Sequence, residues 1–133
     1  MSSLIVVDDN EIDWLIANYS LKKYSEFDEV SYYNGGLPFI DYIKLHVNEQ
    51  DNLPDAVFLD LNMPFFDGWD VLNAMEVIYP TLAKKIQVYI VSSSISPADI
   101  TRSKGFSFVR QFITKPFTQE NLVELPFTPY NAD

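Results

Sequence analysis

The chain has 133 residues, 47% hydrophobic and 15% aromatic, which suffices for one sizeable core and gives no sign of a second. With no cysteine and one histidine, His46, it excludes disulfides, thiol chemistry, thiolate metal sites and a His-rich zinc site, so any metal must be held by oxygen. A net charge of −10 disfavours phosphate-backbone binding, no window approaches the roughly 20 apolar residues of a membrane span, and Met1-Ser2-Ser3 lacks the character of a secretion signal. These properties lead us to expect a cytoplasmic protein that meets other proteins, cations or phosphoryl donors, without direct nucleic-acid contact or membrane insertion.

In chain order, Leu4-Ile5-Val6-Val7 is a short β-branched run ending in Asp8-Asp9, and Asn10-Glu11-Ile12-Asp13 suits a helix start. From 12 to 24 the apolar residues Ile12, Leu15, Ile16, Tyr19 and Leu21 fall mostly at helical spacing, with Lys22 and Lys23 suited to the helix C-terminus. Residues 29–33 form a weaker strand, broken by Asn34-Gly35-Gly36. A second helix over 37–47 places Phe39, Ile40, Ile43 and Val47 on one face, with His46 as an ordinary surface or half-buried residue. After the loop Asn52-Leu53-Pro54-Asp55, residues 56–59 read as a buried strand that delivers Asp60 to an exposed edge, before the chain turns at Pro64 and Gly68. Asp67 opens a third helix with Val71, Leu72, Met75 and Ile78 as its apolar stripe, stopped at Tyr79-Pro80. Residues 86–91 form the fourth strand, ending at Ser92-Ser93-Ser94. Ser96-Pro97-Ala98-Asp99 has the pattern of a capped helix start, and that helix ends near Gly105. Residues 108–113 form the fifth strand, which leads to Lys115-Pro116-Phe117. Residues 118–125 allow about two turns of helix before Pro126, and the tail 126–133 shows no periodicity.

Five strand–helix units without repeats or linkers predict an α/β fold with a parallel sheet covered on both faces. Binding crevices in such sheets lie beyond the carboxyl ends of the strands. Asp8 and Asp9 end the first strand, Asp60 the third, Ser92 the fourth and Lys115 the fifth, so four strands deliver polar groups to one rim. Three converging carboxylates repel one another and call for a positive partner. Mg²⁺ is the natural candidate, a hard cation usually held by one or two carboxylates alongside a phosphate. Lys115 can contact a phosphoryl oxygen, the Ser92 hydroxyl can donate to another, and Asp60 can act as a nucleophile that forms an acyl phosphate. Trp14 and Trp69 read as packing residues, Trp69 close enough to the rim to report on it.

The set Val7-Asp8-Asp9, Leu59-Asp60-Leu61-Asn62-Met63-Pro64 with Asp67-Gly68, Val91-Ser92-Ser93 and Lys115-Pro116-Phe117 resembles the receiver domain of two-component response regulators in identity, order and spacing, over about residues 4–125. The resemblance implies a flavodoxin-like fold with strand order 2-1-3-4-5, a single domain over 1–133, and a stand-alone receiver of the chemotaxis-regulator type. It implies that Asp60 is phosphorylated by a histidine kinase or phosphotransfer protein in a phosphorelay. It further implies that Asp9 and Asp60 bind Mg²⁺ through carboxylates, Asn62 through its backbone carbonyl and Asp8 through water. Ser92 and Lys115 would contact the phosphoryl group, with Ser93 as the second choice for the hydroxyl, and Phe112 would be the aromatic switch on the fifth strand. Ser92 drawn toward a phosphoryl oxygen would vacate space into which that aromatic turns, so that phosphorylation becomes a shape change. The Asn62 side chain is expected beside the path of attacking water, where it sets the dephosphorylation rate.

The sequence departs from the receiver pattern where the stretch from Gly105 to Lys115 is long, the helix before it short, and the last helix cut by Pro126. The face made by the last two helices and the fifth strand, a common output surface in receivers, is therefore expected to have its own shape. Output onto a downstream protein target, or onward phosphoryl transfer, follows for a stand-alone receiver. Two other readings stand beside this one: an interaction module that works without phosphorylation, and a hydrolase using Asp60 as nucleophile. The first is opposed by intact Asp9, Asp60, Ser92 and Lys115, and the second by Asn62 standing where a general acid/base is needed.

Overall fold

The computed structural model describes residues 2–24, 27–93 and 96–128. Five strands, β1 (Ser3–Val7), β2 (Glu29–Tyr33), β3 (Ala56–Leu59), β4 (Gln87–Ser92) and β5 (Val109–Thr114), pair in parallel in the order β2-β1-β3-β4-β5. They alternate with α1 (Glu11–Tyr24), α2 (Gly36–Leu45), α3 (Gly68–Ile78), α4 (Pro97–Ser103) and α5 (Gln119–Val123). This is the expected flavodoxin-like order. The expected tail residues from 129 on, and Ser94, lie outside the described residues.

β1 and β3 are apolar almost throughout because neighbouring strands flank both edges and helices cover both faces. One face packs Ile5, Val7, Val57, Leu59, Val88 and Ile90 against Phe39, Ile40 and Ile43 of α2 and Val71, Leu72 and Met75 of α3. The other packs Leu4, Val6, Phe58, Tyr89, Val91 and Ile113 against Ala17 and Leu21 of α1 and Leu122 of α5.

Helix α1 forms where expected but turns a different face inward. Ala17 and Leu21 are buried and Trp14 is half-buried, whereas Ile12, Leu15, Ile16 and Tyr19 face solvent. The helix is apolar on two opposite sides, and periodicity by itself does not say which meets the sheet. At α3, the Asp67 carboxylate accepts from the Asp70 backbone N–H and the Asp70 carboxylate from that of Asp67, a reciprocal cap. The corresponding expectation for α4 is not met, because Ser96 occupies the cap position without a side-chain cap bond.

The long segment before Lys115 is taken up by a bulge: Val88 pairs with Val109 and Tyr89 with Gln111, which leaves Arg110 as the extra residue. Arg110 then donates to the Pro126 carbonyl at 2.7 Å, and the Gln87 side-chain amide exchanges bonds with Thr128 at 2.5 and 3.1 Å. Phe127 packs at a tilt against Phe27 with centroids 4.8 Å apart, so residues 127 and 128 are docked on the fold. Next to the start of β3, a Lys84–Asp55 ion pair at 3.2 Å is buried, with Asp55 also accepting from the Ser3 backbone.

Candidate functional site

The sheet ladder continues one residue past the strands, and this sets the height of the groups on the rim. Asp8 donates its backbone N–H to Tyr33 O at 3.0 Å, Asp60 to Val7 O at 3.0 Å, and Lys115 to Ser92 O at 2.9 Å. Strand alternation then decides direction. Asp8, Asp60 and Lys115 continue the series of Val6, Phe58 and Ile113, under α1 and α5, whereas Ser92 continues that of Ile90 on the opposite face.

Asp8, Asp9 and Asp60 present carboxylate oxygens that all lie within 4.8 Å of one another. Asp8 and Asp60 are buried and Asp9 is exposed at the mouth. The Lys115 ammonium enters this group from β5, donating to Asp8 Oδ2 at 2.9 Å and Asp13 Oδ2 at 2.6 Å and standing 3.5 Å from Asp60 Oδ1. Asp13 is the member that the sequence reading missed. Its only signal was an acidic residue in the first turn of the helix that follows Asp8-Asp9. Trp14 Nε1 donates to the Asp8 carbonyl at 2.7 Å and the ring lies 5.5 Å from Tyr32, which fixes the turn carrying both carboxylates.

Burial pushes the Asp60 carboxyl up to about 6; the Asp8 charge adds to this, and Lys115 and the Asn62 backbone N–H oppose it. Asp8 is also raised by burial, against its bond to Lys115. Burial works to lower Lys115, but bonds to Asp13 and Asp8 and the charge of Asp60 outweigh it and hold the ammonium above its ordinary range. Four carboxyl groups against one ammonium leave an excess of negative charge. The donors are hard oxygens, so the residues present fit a cation such as Mg²⁺.

The loop after β3 is drawn tightly around Asp60. Asn62 donates its backbone N–H to Asp60 Oδ1 at 3.3 Å and its side-chain amide to Ser92 Oγ at 3.4 Å. Gly68 donates to Leu61 O at 3.0 Å, and a Cβ at Gly68 would lie 2.6 Å from both the Asp60 carbonyl oxygen and Leu61 Cα, so the start of α3 approaches the acceptor strand at a distance only glycine permits. Ser92 is fully buried with its hydroxyl next to Asn62, whereas Ser93 is exposed. Phe112 is half-buried on β5 opposite Ile90, one alternation below the Ser92–Thr114 pair. Trp69 packs on Phe106 beneath the Arg102 guanidinium, 4.2 Å from the ring centroid. Asp8, Asp9, Asp60, Asn62, Ser92 and Lys115 thus meet at one place, and Phe112 lies behind them.

The model of the response regulator receiver domain family matches residues 4–125. The chain is 25% identical over 119 residues to the probable methanogenesis regulatory protein FilR2 of Methanothrix harundinacea, covering 90% of this chain and 75% of that one. It is 27% identical to the sensory/regulatory protein RpfC of Xanthomonas campestris, covering 91% of this chain but 15% of that much longer one. Among solved structures, a two component response regulator from Cytophaga hutchinsonii superposes with a TM-score of 0.83 at 21% identity over 92% of each chain. The phosphorylated cyanobacterial phytochrome response regulator RcpA gives 0.73 at 31% identity, over 91% of this chain and 85% of that one. The similar structures include both phytochrome and chemotaxis regulators and single out no subtype.

Proposed function

We propose, from the premise that this chain belongs to the response regulator receiver domain family and works in phosphoacceptor signalling, that Asp60 is the residue that takes the phosphoryl group. The observation that carries this is the position of its carboxylate at the end of β3, with the oxygens of Asp8 and Asp9 within 4.8 Å and the Lys115 ammonium at 3.5 Å. An Asp60 oxygen attacks phosphorus as the bond from phosphorus to the donor histidine nitrogen breaks, leaving an acyl phosphate on Asp60 and a neutral imidazole on a histidine kinase or phosphotransfer protein. Lys115 pairs with a phosphoryl oxygen, and the Ser92 hydroxyl donates to another; exposed Ser93 is the second choice. Asp9 and Asp60 through carboxylates, Asn62 through its backbone carbonyl and Asp8 through water are the groups we assign to Mg²⁺. That ion, when bound, offsets the charge of the transferring oxygens.

Inward movement of Ser92 opens space for Phe112 on the paired strand, which carries the change to a downstream protein target. The Asn62 side chain, already at Ser92, stands at the approach of water and sets the rate of self-dephosphorylation. The protein is a signalling switch rather than an enzyme acting on a separate substrate. Among the described residues no helix is long and apolar enough to cross a membrane, and we place the protein in the cytoplasm. Borohydride reduction after acetyl phosphate treatment, followed by peptide sequencing, tests the acceptor: homoserine at 60 is expected, and homoserine at 8 or 9 instead would overturn the assignment.

A further inference from the structure

The end of the sheet opposite the acidic rim carries the reverse charge. Five of the chain's nine basic residues, but only one of its nineteen acidic ones, fall between 84 and 110, so this stretch is net +4 in a chain of −10. Three of those cations, Lys84, Lys85 and Arg110, line a groove of about 810 Å³ beside the first residues of β4 and β5, and no carboxylate stands among its described lining residues. Lys84 is paired with Asp55, whereas Lys85 is exposed. Arg110, the extra residue of the bulge, is turned outward and bonds neutral acceptors, Gln87 Oε1 at 3.3 Å and the Pro126 carbonyl at 2.7 Å, so its charge is not offset there. Pro80, Leu82 and Ala83 form an apolar wall of the groove. The wall is held by Tyr79, whose hydroxyl bonds both the N–H and the carbonyl of Ile86 and whose ring stacks on Phe108 at 4.8 Å.

We propose that this groove binds an acidic peptide segment of a partner protein, with carboxylates at Lys85 and Arg110 and an apolar side chain against Pro80, Leu82 and Ala83. Charge selects the occupant: an acidic segment is repelled by most of this chain and finds uncompensated cations here, whereas a basic segment is drawn to the acidic rim instead. The apolar wall beside the cations gives the occupant an uncharged body to bury, which a free phosphate lacks. Because the wall is already fixed by the Tyr79 bonds, binding orders little of the protein. Ser92 and Gln87 are the two ends of β4, about 17 Å apart at about 3.3 Å per residue. The groove therefore uses no group of the rim, and it holds its partner whether or not Asp60 carries a phosphoryl group. Two uncompensated cations and one buried side chain, in a protein of net charge −10, give a Kd on the order of 100 μM.

Nitrogen-15 NMR titration of the full chain with an octapeptide of Glu and Asp around a central Phe measures this, at about 0.15 M salt, where charges beyond about 8 Å are screened. Amides of residues 83–87 and 107–110 are expected to shift. Lys85→Glu and Ser107→Glu should each raise the Kd about fivefold and Ser107→Lys should lower it, while Lys22→Glu, on the helix against the other face of the sheet, leaves it unchanged. All these positions are exposed, and the dispersion of each variant's spectrum confirms folding. Lys85→Glu should take up phosphate from acetyl phosphate at the rate of the unmodified chain. Shifts confined to other parts of the molecule, or a Kd indifferent to Lys85→Glu and Ser107→Glu, overturn the proposal. So does a control peptide with Gln and Asn for Glu and Asp, or with Gly for Phe, that binds as tightly. ATP or inorganic phosphate that displaces the peptide at a lower concentration than the peptide's own Kd would overturn it in favour of a small anion. A peptide that binds only after removal of residues 129–133 would overturn it in favour of the chain's own end.

Discussion

Asp60→Asn should stabilise the metal-free protein at neutral pH. Burial and the neighbouring Asp8 raise the Asp60 carboxyl from 3.8 in the unfolded chain to about 6 in the fold. The folded state therefore binds more protons than the unfolded state between those values, and the contribution of this group to stability falls as pH rises through them. At about 1.4 kcal/mol per pH unit, the ionised Asp60 costs about 3 kcal/mol at pH 7 and less than about 1 kcal/mol at pH 4. Asparagine has nearly the shape of the protonated acid and none of the charge, so the variant should recover that difference. Taking an unfolding entropy of about 2.1 cal/mol/K per residue over 133 residues, 3 kcal/mol corresponds to a Tm rise of about 10 °C at pH 7. Chemical and thermal denaturation in EDTA at pH 4 and pH 7 measures both quantities. Mg²⁺ at ten times its dissociation constant should narrow the gap by about 1.4 kcal/mol, because it binds the folded wild type and loses a carboxylate ligand in the variant. A variant less stable than wild type at pH 7, or a gain of equal size at both pH values, would refute the assignment of unfavourable charge to Asp60.

Replacing Lys115 with Met should raise the Asp60 titration midpoint further, since the ammonium at 3.5 Å favours the ionised acid; carboxyl carbon NMR shifts read the midpoint, and one that stays or falls contradicts the electrostatic picture. Gly68→Ala should cost about 2 kcal/mol, because the new methyl meets backbone atoms of residues 60 and 61 at 2.6 Å; urea unfolding at unchanged stability would show that the loop is looser than its contacts indicate. Asp55→Asn weakens the ion pair at 3.2 Å with buried Lys84 and should destabilise the fold by about 1–3 kcal/mol in urea unfolding without changing the phosphorylation rate, which separates the fold from the site. Changing Asn62 to Ala should alter the decay rate of the phosphorylated protein more than its Mg²⁺ affinity, as followed by loss of the adduct in chelator.

The rim was legible because parallel sheets export polar residues at strand ends, and the chain writes each of those ends as an apolar run stopped by Asp, Ser or Thr-Lys. Strand bounds followed for the same reason, with β2 and β3 as expected and the others displaced by about one residue. What the sequence hid were choices made by packing. Helix α1 offers two apolar faces, and the sheet took the smaller one built on Ala17 and Leu21 because α5 closes over it. Asp13 looked like an N-terminal helix residue, and only the length of Lys115 reaching back across the sheet makes it part of the site. The excess length before Lys115 was visible, but its absorption as a bulge at Arg110 depends on bonds to Gln87 and the Pro126 carbonyl, contacts that no local pattern encodes.

The most direct test of the account is intact-mass analysis after incubation with acetyl phosphate, with and without Mg²⁺, of the wild type and Asp60→Asn. A single phosphoryl adduct that needs Mg²⁺, is cleaved by hydroxylamine and is absent from the variant is the predicted result. An adduct of equal yield on Asp60→Asn would contradict the assignment of Asp60 as acceptor.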